Sequence, residues 1–192
     1  MALMPVAEAM AAVLDGVTAL PEEMVPLRLA HHRVLSRDLA SRRTQPPADM
    51  SAMDGYAVRA SDAATIPARL RVIGEAAAGK PFDAVLKAGE AVRIFTGGVV
   101  PHGADAVVIQ EDTTRDGDTV IVNEAAATGR HIRRAGLDFR EGDILLRAGD
   151  RLTDRHLSLA AGMNHAQLPV HRRPRIAVLA TGDELVQPGA TP

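Results

Sequence analysis

The chain has 192 residues, 46% of them hydrophobic but only 2% aromatic, with no tryptophan, no cysteine and a formal net charge of −2. Its cores must therefore be aliphatic, and the scarcity of rings excludes a base-stacking platform. The near-neutral charge lacks the basic stripe that nucleic-acid phosphates require, and the missing thiols remove disulfides, thiolate metal sites and cysteine nucleophiles. No apolar stretch approaches the roughly 20 residues that cross a bilayer, and the N-terminus carries no cationic start before a long apolar run. The resulting expectation is a cytoplasmic protein of one or two domains, with neither nucleic acid nor membrane as a partner.

Residues 4 to 14 read as a helix. Pro5 suits a first turn, Val6, Met10, Val13 and Leu14 recur at helical spacing, and Gly16 can stop it. From Arg28 to Ala40 the apolar side formed by Leu29, Val34, Leu35 and Leu39 predicts a helix running into an extended segment. From about residue 55 to 125 short β-like runs alternate with turn signals: Tyr56 to Arg59, Leu70 to Gly74, Ala91 to Phe95, Ala106 to Gln110 and Thr119 to Val122, with Asp116-Gly117 as a hairpin signal. Short strands so spaced predict a small β-rich barrel or sandwich. Gly142 to Leu146 reads as a strand, and Leu152 to Ala161 as a helix capped by Thr153 or Asp154 and stopped by Gly162. Met163 to Val170 then reads as extended, and Arg172-Arg173-Pro174 as a linker. The first 45 residues and roughly 130 to 172 thus read as one helical unit, with a β module at 46 to 129 inserted between its halves.

The apolar run 175 to 180, between Pro174 and Gly182, fits a strand buried on both faces of a parallel sheet. Such a strand needs neighbours, so residues 173 to 192 read as the start of a truncated α/β domain and the chain as the N-terminal part of a longer protein.

Five segments could carry chemistry. Ser51-Ala52-Met53-Asp54-Gly55-Tyr56-Ala57-Val58 follows Gln45-Pro46-Pro47-Ala48-Asp49, which cannot be a helix interior, so Asp54 is displayed on a tight approach into a sheet. Arg93 to Gly98 is a strand ending in Thr96, Gly97 and Gly98, where glycine lets successive N–H groups point at an anion. Gln110-Glu111-Asp112 is a polar strand end. Arg130, Arg133, Arg134, Asp138 and Arg140 form a basic cluster near a carboxylate. Thr181-Gly182-Asp183-Glu184-Leu185 lies at the carboxyl end of the expected buried strand, where α/β sheets bind ligands. The seven histidines show no zinc spacing, and no P-loop, dinucleotide fingerprint or nucleophile elbow is present.

In this order the strings SAMDGYAVR, GEAAAGKPF, AVRIFTGGVVPHGADAVVIQED, HIRRAGLDFREGDILLRAG and PRIAVLATGDELVQPG resemble the N-terminal half of the molybdopterin molybdenumtransferases, the group that includes the gephyrin E domain. The resemblance covers nearly the whole chain. It implies an α+β multidomain fold: a discontinuous helical dimerisation domain, an inserted small β-rich barrel-like domain, and the first strand of an α/β molybdopterin-binding domain. It further implies a homodimer that joins molybdate to adenylylated molybdopterin and releases AMP with Mg2+ assisting, a fragment inactive by itself, and a molybdopterin adenylyltransferase or an acceptor molybdoenzyme as further partners. By motif position it assigns Asp54, Thr96, Asp138 and Glu184 to catalysis, Ser51, Gly97, Gly98 and Arg133 to substrate binding, and Glu184 to Mg2+. The chain departs from the family pattern at Ala48, Met50, Ala76 and Leu137, the last altering the polarity beside Asp138. The alternative is a non-catalytic dimeric interaction scaffold, which would have no need of all four of Asp54, Thr96, Asp138 and Glu184.

Overall fold

A computed structural model describes residues 4–179, 181, 182, 186 and 189. Two helices are present among them, α1 (Val6–Leu14) and α2 (Asp154–Gly162). The strands in chain order are β1 (Glu22–Pro26), β2 (Leu39–Ala40), β3 (Met50–Ser51), β4 (Gly55–Val58), β5 (Ala68–Ala76), β6 (Glu90–Ile94) and β7 (Ala106–Ile109). They continue with β8 (Thr113–Asp116), β9 (Thr119–Val122), β10 (Ile132–Arg133), β11 (Ile144–Leu146) and β12 (Gln167–His171). The chain is mostly β and divides into two compact units, one of residues 1–39, 146–161 and 165–192, the other of residues 40–145 and 162–164. Residues 130–145, read from the sequence with the helical unit, lie in the second.

The first unit combines α1 and nearly all of α2 with the antiparallel pair β1–β12. Glu22 to Pro26 pairs antiparallel with His171 to Gln167 over five residues. The helix expected after Arg28 is a single 3-10 turn, Leu27–Leu29. Beyond it the alternation is period two: Arg33 and Leu35 are buried while Val34 is exposed. Leu35 N donates to Asp150 O and His171 N donates to Val34 O, so hydrogen bonds from flanking segments override the helical spacing of the apolar residues. Arg33 is tolerated inside because its guanidinium reaches both Glu23 and the His171 carbonyl. Helix α2 starts where Thr153 was expected to cap it. Leu157 N donates to Thr153 O, and the His156 ring Nδ1 reaches back to Thr153 N and Oγ1, each at 3.0 Å. A histidine thus fills the place that Glu or Gln takes in a capping box. The stop is made by Asn164 in the left-handed region (φ 69°), with His165 N donating to Ala160 O, rather than by Gly162.

The second unit is a mixed six-stranded sheet in the order β7-β4-β6-β5-β9-β8. Four of its five pairings are antiparallel, and β5–β6 is parallel with a shift between Val72 and Glu75. The expected strands are all present, and β8 completes the hairpin around Gly117. Alternate side chains enter opposite cores. Tyr56, Val58, Leu70, Val108, Val120 and Val122 share one cluster, while Ala57, Val92, Ile94, Val107 and Leu86 share the other. Val108 on β7 and Val120 on β9 are separated by three strands in the order yet bury together, so the sheet curls onto that face. The buried strand expected at 175 to 180 is not formed over residues 175–179, where Ile176, Val178 and Leu179 are exposed. A parallel strand draws its hydrogen bonds from neighbours, and none pairs with it among the described residues. No helix among the described residues is long and apolar enough to cross a membrane.

Candidate functional site

The Ser51–Gly55 approach and the Phe95–Gly98 turn are laced together by backbone. Ser51 N donates to Gly98 O and Gly97 N donates to Ser51 O, both at 2.9 Å, and Gly98 N closes the turn on Phe95 O at 2.8 Å. Gly97 sits at φ +80°, a conformation a side chain would strain. Ser51 is buried, its Oγ donating to Met53 O at 2.6 Å and accepting from Met53 N at 3.3 Å, so its hydroxyl shapes the bend that lifts Asp54. Gly55 enters β4 so close to β7 that an added Cβ would lie 1.9 Å from the Val108 carbonyl oxygen.

This framework aims Asp54 at Thr96. Thr96 N donates to Asp54 Oδ1 at 2.7 Å, and Thr96 Oγ1 donates to the same oxygen at 2.8 Å. These two bonds, the backbone one foremost, hold the Asp54 carboxyl below the usual aspartate range; partial burial opposes them, and the nearby Arg93 charge assists. The carboxylate is therefore fixed through one oxygen and stays charged.

The second couple lies on the turn after β10, whose Arg133 pairs in register with Met50, one residue from Ser51. Arg133 Nη2 donates to both Asp138 oxygens, at 2.7 and 2.9 Å. The turn is anchored from below: Asp138 N donates to Gln45 O, Gly136 N to Pro46 O, Ala135 N to Asp49 Oδ1 and Arg134 Nη1 to Asp49 Oδ2. The Ala135 N–H is the main reason that Asp49 lies below the usual aspartate range; burial opposes it and Arg134 adds to it. No hydrogen bond or ion pair joins the Asp54–Thr96 couple to the Arg133–Asp138 couple among the described residues. A cleft of about 550 Å³ is lined by Asp49, Phe82, Val100 and His102 among others, but by neither Asp54 nor Thr96.

Of the residues expected from the sequence, Asp54, Thr96, Ser51, Gly97 and Gly98 meet at one place, and Arg133 and Asp138 form a neighbouring pair. Glu184 lies outside the described residues. The turn is not the anion-facing nest expected, because the N–H groups of Thr96, Gly97 and Gly98 all donate within the protein. Sequence reading missed Arg93 and Gln110 as neighbours of Asp54: Gln110 N donates to Asp54 O at 3.1 Å, and Arg93 donates to Gly55 O. The available signal was an arginine inside the apolar strand that leads to Thr96. Among the described residues no group of three or more potential ligands could cage a metal. Both bonds to the Asp54 carboxylate fall on Oδ1, and Oδ2 accepts no hydrogen bond within the described protein.

Residues 4–163 match the family described as MoeA N-terminal region (domain I and II). The chain belongs to this MoeA N-terminal family. Similar relatives are the molybdopterin molybdenumtransferase of Haemophilus influenzae, 40% identical over 87% of this chain and 41% of that protein, and molybdopterin molybdenumtransferase 2 of Mycobacterium tuberculosis, 41% identical over 86% and 42%. Among solved structures, a molybdopterin biosynthesis moeA protein of Pyrococcus horikoshii matches with a TM-score of 0.83 and 35% identity, over 88% of this chain and 46% of that one. The chain thus spans about two-fifths of the length of the curated relatives that it matches. The MoeA family match reaches every expected site residue except Glu184.

Proposed function

We propose that this chain works in molybdenum cofactor biosynthesis, as the part of a molybdopterin molybdenumtransferase that presents Asp54 and Thr96 to adenylylated molybdopterin, with molybdate as co-substrate and AMP as product. The observation that carries the reading is the Asp54–Thr96 couple, in a chain whose family match spans residues 4–163. A general base works best with a pKa near the working pH. A carboxylate held below its usual range is better suited to orienting a water at the phosphoanhydride as a charged acceptor than to taking its proton. Thr96 fixes the carboxylate and keeps hydroxyl lone pairs for a donor. Mg2+, assigned by the motif to Glu184, would when bound neutralise charge on phosphate oxygens. Arg133, released from Asp138 by a competing phosphate, would supply a fork of donors.

The test is Asp54→Asn in the protein that carries this chain, incubated with adenylylated molybdopterin, molybdate and Mg2+. AMP release should fall by roughly 10²–10³-fold, the order of loss when one preorganised electrostatic group is removed. Undiminished release would refute the reading.

Homodimerisation belongs to the same proposal, and α1 supports it. Met4, Val6, Met10, Val13 and Leu14 are all exposed, and no residue of α1 is buried. An apolar helix face of this kind marks an association surface. Met10→Glu should convert a dimer to a monomer in light scattering; an unchanged dimer places the interface elsewhere. The rival reading, a dimeric interaction scaffold without chemistry, draws on the same helix face. It would be favoured if the unsubstituted protein formed the dimer but released no AMP under the same conditions.

A further inference from the structure

We infer that Arg93 is a positioning residue for the Asp54 carboxylate, clamping the residue that follows Asp54 to the residue that precedes Thr96. The inference rests on the reading of Asp54 as the functional acid, but its test does not. Arg93 lies in β6, in register with Tyr56 on β4 and Glu75 on β5. Its guanidinium makes three kinds of contact at once. Nη1 donates to Gly55 O at 2.7 Å, and Nη2 donates to Gln110 Oε1 at 2.8 Å. The central carbon lies 4.6 Å from the Phe95 ring centroid and 5.3 Å from that of Tyr56. Gly55 directly follows Asp54, Phe95 directly precedes Thr96, and the Gln110 backbone N–H holds the Asp54 carbonyl. One planar group therefore bears on both ends of the Asp54–Thr96 hydrogen bonds.

The chemistry of the contacts distinguishes a clamp from an ordinary surface arginine. A surface arginine beside Glu75 would pair with it, whereas among the described residues Arg93 forms no ion pair. Its donors go to a carbonyl and an amide oxygen, both neutral, and its face goes to rings. The positive charge stays close to Asp54 without a salt bridge that would neutralise the carboxylate. Lysine could supply the charge but not a rigid fork that spans two acceptors while stacking on an aromatic face.

The experiment uses the 192-residue chain, isotopically labelled, with two NMR readouts: the titration midpoint of the Asp54 carboxyl carbon and the exchange rate of the Thr96 amide. In Arg93→Met, which keeps an apolar stem over the rings, Thr96 exchange should accelerate by roughly ten- to a hundredfold, as expected when hydrogen bonds from a charged group are lost. The Asp54 midpoint should rise toward the ordinary aspartate value. In Arg93→Lys the midpoint should rise less, while Thr96 protection is not restored. Asp49, held by Ala135 and Arg134, should titrate unchanged in both variants. Unchanged Thr96 exchange and an unchanged Asp54 midpoint in Arg93→Met would overturn the inference. Equal movement of Asp49 would also overturn it, since that would mean general loosening. If Arg93→Met does not fold, Gln110→Ala decides: a smaller shift in the same direction supports the clamp, and no shift overturns it. None of these readouts measures AMP release, so failure here and failure of the proposed function are separate results.

Discussion

Two carboxylates of the same unit are held by opposite means. Asp54 is fixed through one oxygen by neutral donors, the N–H and hydroxyl of Thr96. Asp138 is fixed through both oxygens by a cation, Arg133. The first arrangement fixes direction and leaves net charge; the second cancels charge and leaves no open oxygen. An oriented water can be accepted by Asp54 as it stands. The Arg133–Asp138 pair must first be opened, and a phosphate is the kind of group able to compete for the guanidinium.

The largest structural effect that would break the comparison is expected from Gly55→Ala. An added Cβ would lie 1.9 Å from Val108 O, so β4 must shift from β7 and carry Asp54 off Thr96. A loss of about 1–3 kcal/mol or more is expected by chemical denaturation, with the 133–138 turn keeping its amide shifts. A loss below the detection limit would mean that the close approach is not essential.

Thr96→Val sharpens the contrast by removing the hydroxyl and sparing the backbone bond. The Asp54 midpoint, followed by carboxyl NMR, should rise toward its ordinary value. Because the folded pKa is depressed, the stabilisation it contributes is present above the ordinary aspartate range and is lost as pH falls through the folded value. The stability deficit of the variant should accordingly be full at neutral pH and vanish on acidification. A deficit independent of pH would assign the hydroxyl a packing role only.

The smallest effect is expected from Asp138→Asn. Arg133 and Asp138 are 46% and 40% exposed, and such pairs contribute roughly 0–1 kcal/mol. What remains should shrink further in salt, whereas the Asp54–Thr96 bonds should be indifferent to it. A salt-insensitive loss above about 1 kcal/mol would show that the second couple is more than a surface ion pair.

The strands of the second unit were legible because their residues alternate between two buried faces, and Gly117 announced the hairpin. The run 28 to 40 misled because its leucines and valine also fit a 3.6-residue spacing; hydrogen bonds with 149–152, 169 and 171 settle residues 33–35 as extended. Asp54 and Thr96 could be named from motif strings, yet the use of the glycine turn was misjudged. Spacing shows that N–H groups are present, not which acceptors reach them first.

Composition, turn chemistry and the order of motifs in the sequence alone determined an aliphatic, β-rich chain of this family with an acid loop and a hydroxyl-glycine turn. Only the tertiary structure decided that the two turns face one another, that the backbone donors close on the protein rather than on an anion, and that Arg93 stands behind the acid. Local propensity acts over a few residues. Asp54 and Thr96 are 42 residues apart, and only the pairing of β4 with β6 brings them within hydrogen-bonding distance.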